Sequence, residues 1–386
     1  MTTTVIHSAR LVDGGLITED AWVVFRDGLV AGTGTGADWQ PLADEHDTVV
    51  DATAVAGPGA VLTPGFIDLH GHGGGGWSYD DGPEAIRAAR ALHRAHGTTR
   101  AVVSLVTAPL ETLERRAATD ADLMQTDADI LGSHLEGPFL DPSHKGAHDE
   151  TLLRLPSPEA VARLLEAGRG TIRQVTLAPE LPGGLDAIRA VVASGAAAAV
   201  GHTAAGMDVS AAAYDAGASI LTHAFNGMPG IHHRDPGPIG AAAADPRVTL
   251  EIIADGVHLH PEVVRIAFAA APGRIALVTD AMAAAGAEDG RYDLGSLEVV
   301  VKDGVARLAA GGPIAGSTLT QDAALRLAVA AGVALEDAVT ALTSTPARAV
   351  GRDDVGRLEP GRLADAVLLD EDLAVREVWI AGLPIA

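Results

Sequence analysis

From residue 61 onward, short apolar runs alternate with longer Ala-rich segments of helical character at a fairly regular spacing, and few folds accommodate that rhythm. Runs of strand length occupy residues 61–69, 101–106, 129–135, 172–177, 197–200, 219–222, 249–253 and 275–279. Helical segments lie between them, for example at 83–96, 158–167, 184–193 and 261–271, and 318–331 and 335–350 follow the eighth run. Strands alternating with helices predict βα units around a parallel sheet. Eight such units predict an α/β fold, a (β/α)8 TIM-type barrel. The flanks read differently. Val5 and Ile6, residues 21–25, the turn Arg26-Asp27-Gly28, Leu29 and Val30, and residues 48–50 are β-type runs with turn signals, and β character returns at 364–370 and 375–380. These predict a small discontinuous β-sandwich domain formed by both termini, 1–54 and 351–386, around a barrel domain over 55–350.

Charge and composition remove several function classes. The 386 residues carry 27 basic and 51 acidic side chains, a net charge of −24. A phosphate backbone or an anionic membrane is repelled by such a surface, so nucleic acid and membrane are not expected partners. The long uncharged stretch 190–207 is Ala- and Gly-rich and too weakly hydrophobic for a membrane span. The start MTTTVIHSARLVDGG has no basic residues followed by an apolar run, which makes the cytoplasm the expected compartment. With no cysteine, disulfides, thiolate nucleophiles and Cys-ligated zinc are excluded, and His, Asp and Glu remain as metal ligands. Lys145 and Lys302 are the only lysines.

In a (β/α)8 barrel the active site lies at the carboxyl ends of the strands. The first polar residues there are His70-Gly71-His72 after the first run, Glu136 after the third, His202 after the fifth, His223 after the sixth and Asp280 after the eighth. Any one alone reads as a structural histidine or a helix-capping acid. Four imidazoles and two carboxylates converging on one mouth instead point to a hydrolytic metal centre, since these are the ligand types that zinc and similar divalent ions accept. Glu136, His202 and His223 are expected to supply three protein ligands, leaving a position for water. Asp280 is expected to move the proton, as general base and then general acid, with a fourth-ligand role as the alternative. His70 and His72, beside Gly71 and the Gly73-to-Gly76 run, are candidates for a second metal. A carboxylated lysine bridge is excluded, because Lys145 and Lys302 sit in Gly-flanked loop or hairpin contexts, so Glu136 is the bridging carboxylate.

Further polar residues concern substrate. His148, in the loop after Glu136-Gly137-Pro138, is placed to polarise a substrate carbonyl. Asn226, Arg234 and His258 make a candidate anion pocket, arginine being suited to bidentate phosphate recognition. The segment Gly311 to Ser317, GGPIAGS, suggests a lid or a backbone surface for a polar ligand.

The strings Pro64-Gly65-Phe66-Ile67-Asp68-Leu69-His70-Gly71-His72, His134-Leu135-Glu136-Gly137-Pro138, Gly201-His202-Thr203, Thr222-His223-Ala224-Phe225-Asn226, Asp255-Gly256-Val257-His258 and Val278-Thr279-Asp280-Ala281 resemble the amidohydrolase superfamily and, within it, the deacetylases of amino-sugar 6-phosphates. The resemblance extends to the tail Gly361-Arg362-Leu363-Ala364-Asp365. It implies hydrolysis of the acetamide of N-acetylglucosamine 6-phosphate to glucosamine 6-phosphate and acetate, in amino-sugar catabolism and cell-wall recycling. The galacto epimer and other metal-dependent amidohydrolase chemistry are the alternatives. By resemblance, Glu136, His202 and His223 hold the catalytic metal, Asp280 transfers the proton and His148 contacts the acetamide. Asn226, Gly227, Arg234 and His258 contact the sugar phosphate, with Ala147, Ile314, Ala315 and Gly316 lining the pocket. Arg234 is implied to reach across a homodimer interface. One or two divalent ions per subunit are implied, Zn2+ first and Fe2+ as the alternative, the second held by His70 and His72.

Overall fold

The computed structural model describes residues 3–44 and 46–385. Eight parallel strands follow one another around a barrel in sequence order: Phe66–Asp68, Thr98–Val106, Ile130–Glu136, Ile172–Leu177, Ala197–Val200, Ile220–Leu221, Thr249–Ile253 and Ile275–Val278. They are almost wholly buried, as parallel strands covered by helices must be. The predicted (β/α)8 barrel with a separate β unit is the fold observed.

The backbone ladder runs from the first strand to the eighth, and among the described residues it does not pair those two with each other. Other bonds span the seam. Thr279 Oγ1 donates to Asp68 Oδ2 at 2.6 Å, Asp280 N to the His70 carbonyl at 2.7 Å, and His72 N to the Ala281 carbonyl at 2.7 Å. Below them Gln321 Nε2 donates to the carbonyls of Ile67 and Leu277, one from each strand. The residues that follow both strands are thereby tied together at the mouth.

The first predicted strand divides in two. Val61–Pro64 pairs with the outer sheet, and only Phe66–Asp68 enters the barrel. The crossing residue is Gly65, and only glycine fits there, because a Cβ would lie 2.1 Å from Thr99 Oγ1. That outer sheet has eight strands drawn from both ends of the chain, among them Thr3–Asp13, Leu16–Arg26, Leu29–Thr35, Ala366–Leu369 and Val375–Ile380. The expected helix over 335–350 is also two, Leu335–Leu342 and Ser344–Ala349. Pro346 has no N–H to offer the Leu342 carbonyl, and its ring crowds that carbonyl, so the first helix stops there. A three-stranded antiparallel sheet, Gly290–Leu294, Leu297–Lys302 and Val305–Leu308, is inserted after the eighth barrel strand and has its own small core around Met282, Val299 and Ala315.

The outer sheet is clamped to the barrel by a buried ion pair. Arg100, on the second barrel strand, donates through Nε and Nη2 to both oxygens of Asp365, at 2.6 and 2.9 Å, and also to the Ala128 carbonyl. Asp365 also accepts from Ala381 N at 2.9 Å. Removing one partner leaves the other charge buried without compensation, which costs about 3–5 kcal/mol. Arg100→Leu is therefore expected to lower the unfolding free energy by about that much, and Arg100→Leu with Asp365→Leu to cost less than the sum of the single changes. Denaturant melts of the three variants check this.

Candidate active site

The local backbone explains how side chains from five strands meet. Glu136 is the last residue of the third barrel strand. His202, His223 and Asp280 each stand two residues beyond a strand, the strands ending at Val200, Leu221 and Val278. All three have left-handed backbone, with φ of 46°, 25° and 48°. For a residue with a Cβ this conformation costs about 1–3 kcal/mol, and it persists where surrounding bonds enforce it. The same turn, used three times, aims each side chain at the barrel axis.

Glu136 is the meeting point. Its Oε1 lies 3.1 Å from Nε2 of His202, 3.1 Å from Nε2 of His223 and 3.4 Å from Nε2 of His70. Its Oε2 lies 3.2 Å from Nε2 of His72 and 3.5 Å from Nε2 of His148. Asp280 Oδ1 is 3.2 Å from His72 Nε2 and 3.5 Å from His70 Nε2. Imidazole nitrogens also face one another: His202 and His223 Nε2 are 2.9 Å apart, and His70 and His72 Nε2 3.2 Å. His70, His72 and Asp280 form one group able to hold an ion, and Glu136, His148 and His202 another.

This donor set fits a divalent cation. His202 Nδ1 lies 2.9 Å from the His144 carbonyl, which can only accept, so that nitrogen carries the hydrogen and Nε2 is left with a lone pair. The lone pair faces a carboxylate oxygen and another imidazole nitrogen. Acceptors gathered at such distances repel unless a cation or protons lie between them. Among the described residues His72, His148 and His223 also have buried Nδ1 atoms with no hydrogen-bond partner, so nothing else binds those rings.

The same crowding perturbs the titrations. Burial favours the neutral form of His72, but hydrogen bonds to Asp280 and Glu136 outweigh it and push the imidazole up to about 9. Burial would raise Asp280, yet the charges of His70 and His72 hold it below the usual carboxylate range. Glu136 is held well below its ordinary value in the same way, against its own burial. His148 goes the other way, lowered to about 3 by burial with Glu136 opposing, so it stands as a neutral imidazole. His258 is raised, because a 2.7 Å contact with Asp255 overcomes its burial.

A pocket of about 250 Å³ opens over these groups. Its walls include His72, Glu136, Ala147, His148, His202, His223, Asn226, Gly227, His258, Asp280, Ile314 and Gly316. His70 lies beneath it, fully buried. Ala315 is also fully buried and packs in the core of the inserted sheet. Arg234 is exposed on the loop that carries His232 and His233 and does not line this pocket. Val106 and Leu294 line it and were not singled out from the sequence, whereas Pro313 belongs to the Gly311–Ser317 segment expected to face a ligand. Glu251, fully buried at the middle of the seventh strand, was also missed. A carboxylate between apolar neighbours in Thr-Leu-Glu-Ile-Ile was the available signal.

A (β/α)8 barrel whose mouth gathers imidazoles and carboxylates around one pocket defines the class of metal-dependent barrel hydrolases. The chain belongs to the amidohydrolase family, which it matches over residues 61–384. It is 43% identical to N-acetylgalactosamine-6-phosphate deacetylase of Escherichia coli O157:H7, with 83% of this chain and 87% of that protein covered. It is 36% identical to N-acetylglucosamine-6-phosphate deacetylase of Bos taurus, with coverage of 97% and 93%. A solved N-acetyl-D-glucosamine-6-phosphate deacetylase mutant from Mycobacterium smegmatis, in complex with N-acetyl-D-glucosamine 6-phosphate, superposes with a TM-score of 0.93 at 41% identity, covering 100% of this chain and 99% of that one.

Ligand binding to the folded state alone stabilises by about 2.7 kcal/mol at a hundredfold excess over Kd. Zn2+ added to chelated, dialysed protein is therefore expected to raise the melting temperature, and Glu136→Gln to remove most of that rise. Equal rises in both proteins would contradict the cluster as a metal site.

Proposed function

We propose that this chain hydrolyses the acetamide of N-acetylglucosamine 6-phosphate, giving glucosamine 6-phosphate and acetate. The observation that carries the reading is the pocket whose floor is the Glu136, His202, His223 and Asp280 cluster and whose wall holds His148, Asn226 and His258. The similarity to deacetylases of amino-sugar 6-phosphates supplies the substrate class.

Glu136, His202 and His223 would hold the catalytic ion, proposed to be Zn2+ with Fe2+ as the alternative, and His70 and His72 a second. Such an ion, when bound, lowers the pKa of water towards neutrality and polarises a carbonyl. The chain does the rest. Neutral His148 has an N–H to donate to the acetamide oxygen, where negative charge develops. Asp280 takes the proton from the attacking water and hands it to the amide nitrogen as the C–N bond breaks, leaving acetate and the free amine. His258, held by Asp255, donates to the sugar or its phosphate, and Asn226 and the Gly227 backbone lie beside it. Ala147, Ile314 and Gly316 line the pocket, and the backbone of Ala315 completes that wall.

Arg234 stands outside the pocket of its own chain, and we place it in the phosphate site of a second copy in a homodimer. The small domain, 1–54 and 351–386, is proposed to brace the barrel domain, 55–350, with the strand at 61–64 joining it. Its residues 1, 2, 45 and 386 lie outside the described residues. The proposed compartment is the cytoplasm. The 43% relative named for the galacto sugar favours N-acetylgalactosamine 6-phosphate as the second reading.

Acetate release after chelation and metal return, measured on both sugar phosphates and on unphosphorylated N-acetylglucosamine, tests the reading. Metal-restored turnover fastest on the gluco phosphate is expected, and turnover confined to the galacto phosphate would establish the alternative. Asp280→Asn is expected to keep its metal content while turnover falls at least about a hundredfold, in line with the worth of general acid–base catalysis. Near-normal turnover would remove Asp280 from the mechanism.

A further inference from the structure

Below the pocket floor, Glu251 projects from the seventh barrel strand into the barrel interior and is fully buried. Its carboxylate collects three donors from three other strands or their ends. Oε2 lies 3.2 Å from His70 Nδ1 and accepts the backbone N–H of His223 at 3.2 Å. Oε1 accepts Gln174 Nε2 at 2.7 Å. The Glu251 carbonyl also accepts Ala224 N at 2.8 Å, so this one residue grips the His223 turn on both sides.

We propose that Glu251 is the positioning residue of the metal centre, a role that rests on the metal-dependent reading above. A buried carboxylate accepts and does not donate, so its contact keeps the hydrogen of His70 on Nδ1. With Nδ1 committed to Glu251, His70 Nε2 is the ring atom left to face His72, Glu136 and Asp280 and to ligate an ion. The same oxygen holds His223 in its left-handed turn, where φ is 25°. One atom therefore sets the tautomer of a residue in the first ion-holding group and the backbone of a histidine beside the second. Partners that fix the ring orientation and tautomer of a ligating histidine are worth about 10–100-fold in metal affinity.

Two conservative variants separate reach from charge. Glu251→Asp keeps the charge and withdraws the carboxylate by about 1.5 Å, one C–C bond, beyond hydrogen-bond range of His70. Glu251→Gln keeps the reach and loses the charge. Its amide oxygen stays on the His70 and His223 side, and its new NH2 meets Gln174, whose Oε1 has no partner among the described residues and can turn to accept it.

The measurements are 15N NMR of histidine-labelled, metal-free protein and Zn2+ affinity by chelator competition. E251Q is expected to retain the His70 Nδ1–H signature and to bind Zn2+ within about threefold of wild type, while E251D loses the signature and binds about 10–100-fold more weakly. A wild-type His70 signature in E251D, or Zn2+ binding by E251D as tight as by E251Q, would overturn the role. Wild-type protein that takes up no Zn2+ would overturn the metal-centre reading instead. The His70 Nδ1–H signature in the two variants, read without metal, would then still decide the role of Glu251.

Discussion

The Glu136 carboxylate is buried at the end of a barrel strand with five imidazole nitrogens between 3.1 and 3.5 Å from its two oxygens. A group of that kind is costly to bury unless its charge is met, and here the surrounding structure is arranged to meet it. The histidines around it come from loops after the first, third, fifth and sixth strands, so the site exists only when the barrel is closed. That dependence explains why side chains and loop backbone span the seam between the first and eighth strands. Asp68 and Thr279, whose bond spans it, each lie within two residues of the cluster.

The barrel interior changes character beneath the site. A layer that aliphatic side chains would ordinarily fill holds Ser104, His134, Thr176 and Thr222 instead, linked in a chain of contacts at 2.8–2.9 Å. Burial lowers His134 well below its ordinary value, so it serves as a neutral link with both ring nitrogens bonded. The His70 ring stacks edge-on against it, with centroids 4.6 Å apart. Polar groups so placed are satisfied by each other and hold the ring above them in one orientation.

Much of this was legible in the residues. Parallel strands announce themselves as short apolar runs, and the polar residue following each run marks the mouth, which is how His70, His72, Glu136, His202, His223 and Asp280 could be named together. What stayed hidden depended on distance in the chain. Gly65 lies between the two strands, where Thr99 leaves no room for a Cβ, a contact that no local pattern encodes. The inserted sheet over residues 290–308 is a meander whose Val-rich middle strand and Asp303-Gly304 turn were read only as a hairpin context. Glu251 is silent for a related reason: a lone acid inside an apolar run shows its partners only once the other strands are in place. Arg234 illustrates the opposite case, since its residue type suits an anion while its place in the single chain is an exposed loop.

The central claim is that this cluster is built around a cation. Anomalous diffraction at the zinc edge, from crystals of the chelated protein returned to Zn2+, tests it most directly. The strongest peak is predicted among Glu136, His202 and His223, at about 2.0–2.2 Å from their ligating atoms. Zinc found only at surface carboxylates, with the five imidazoles still facing one another around an empty centre, would contradict it.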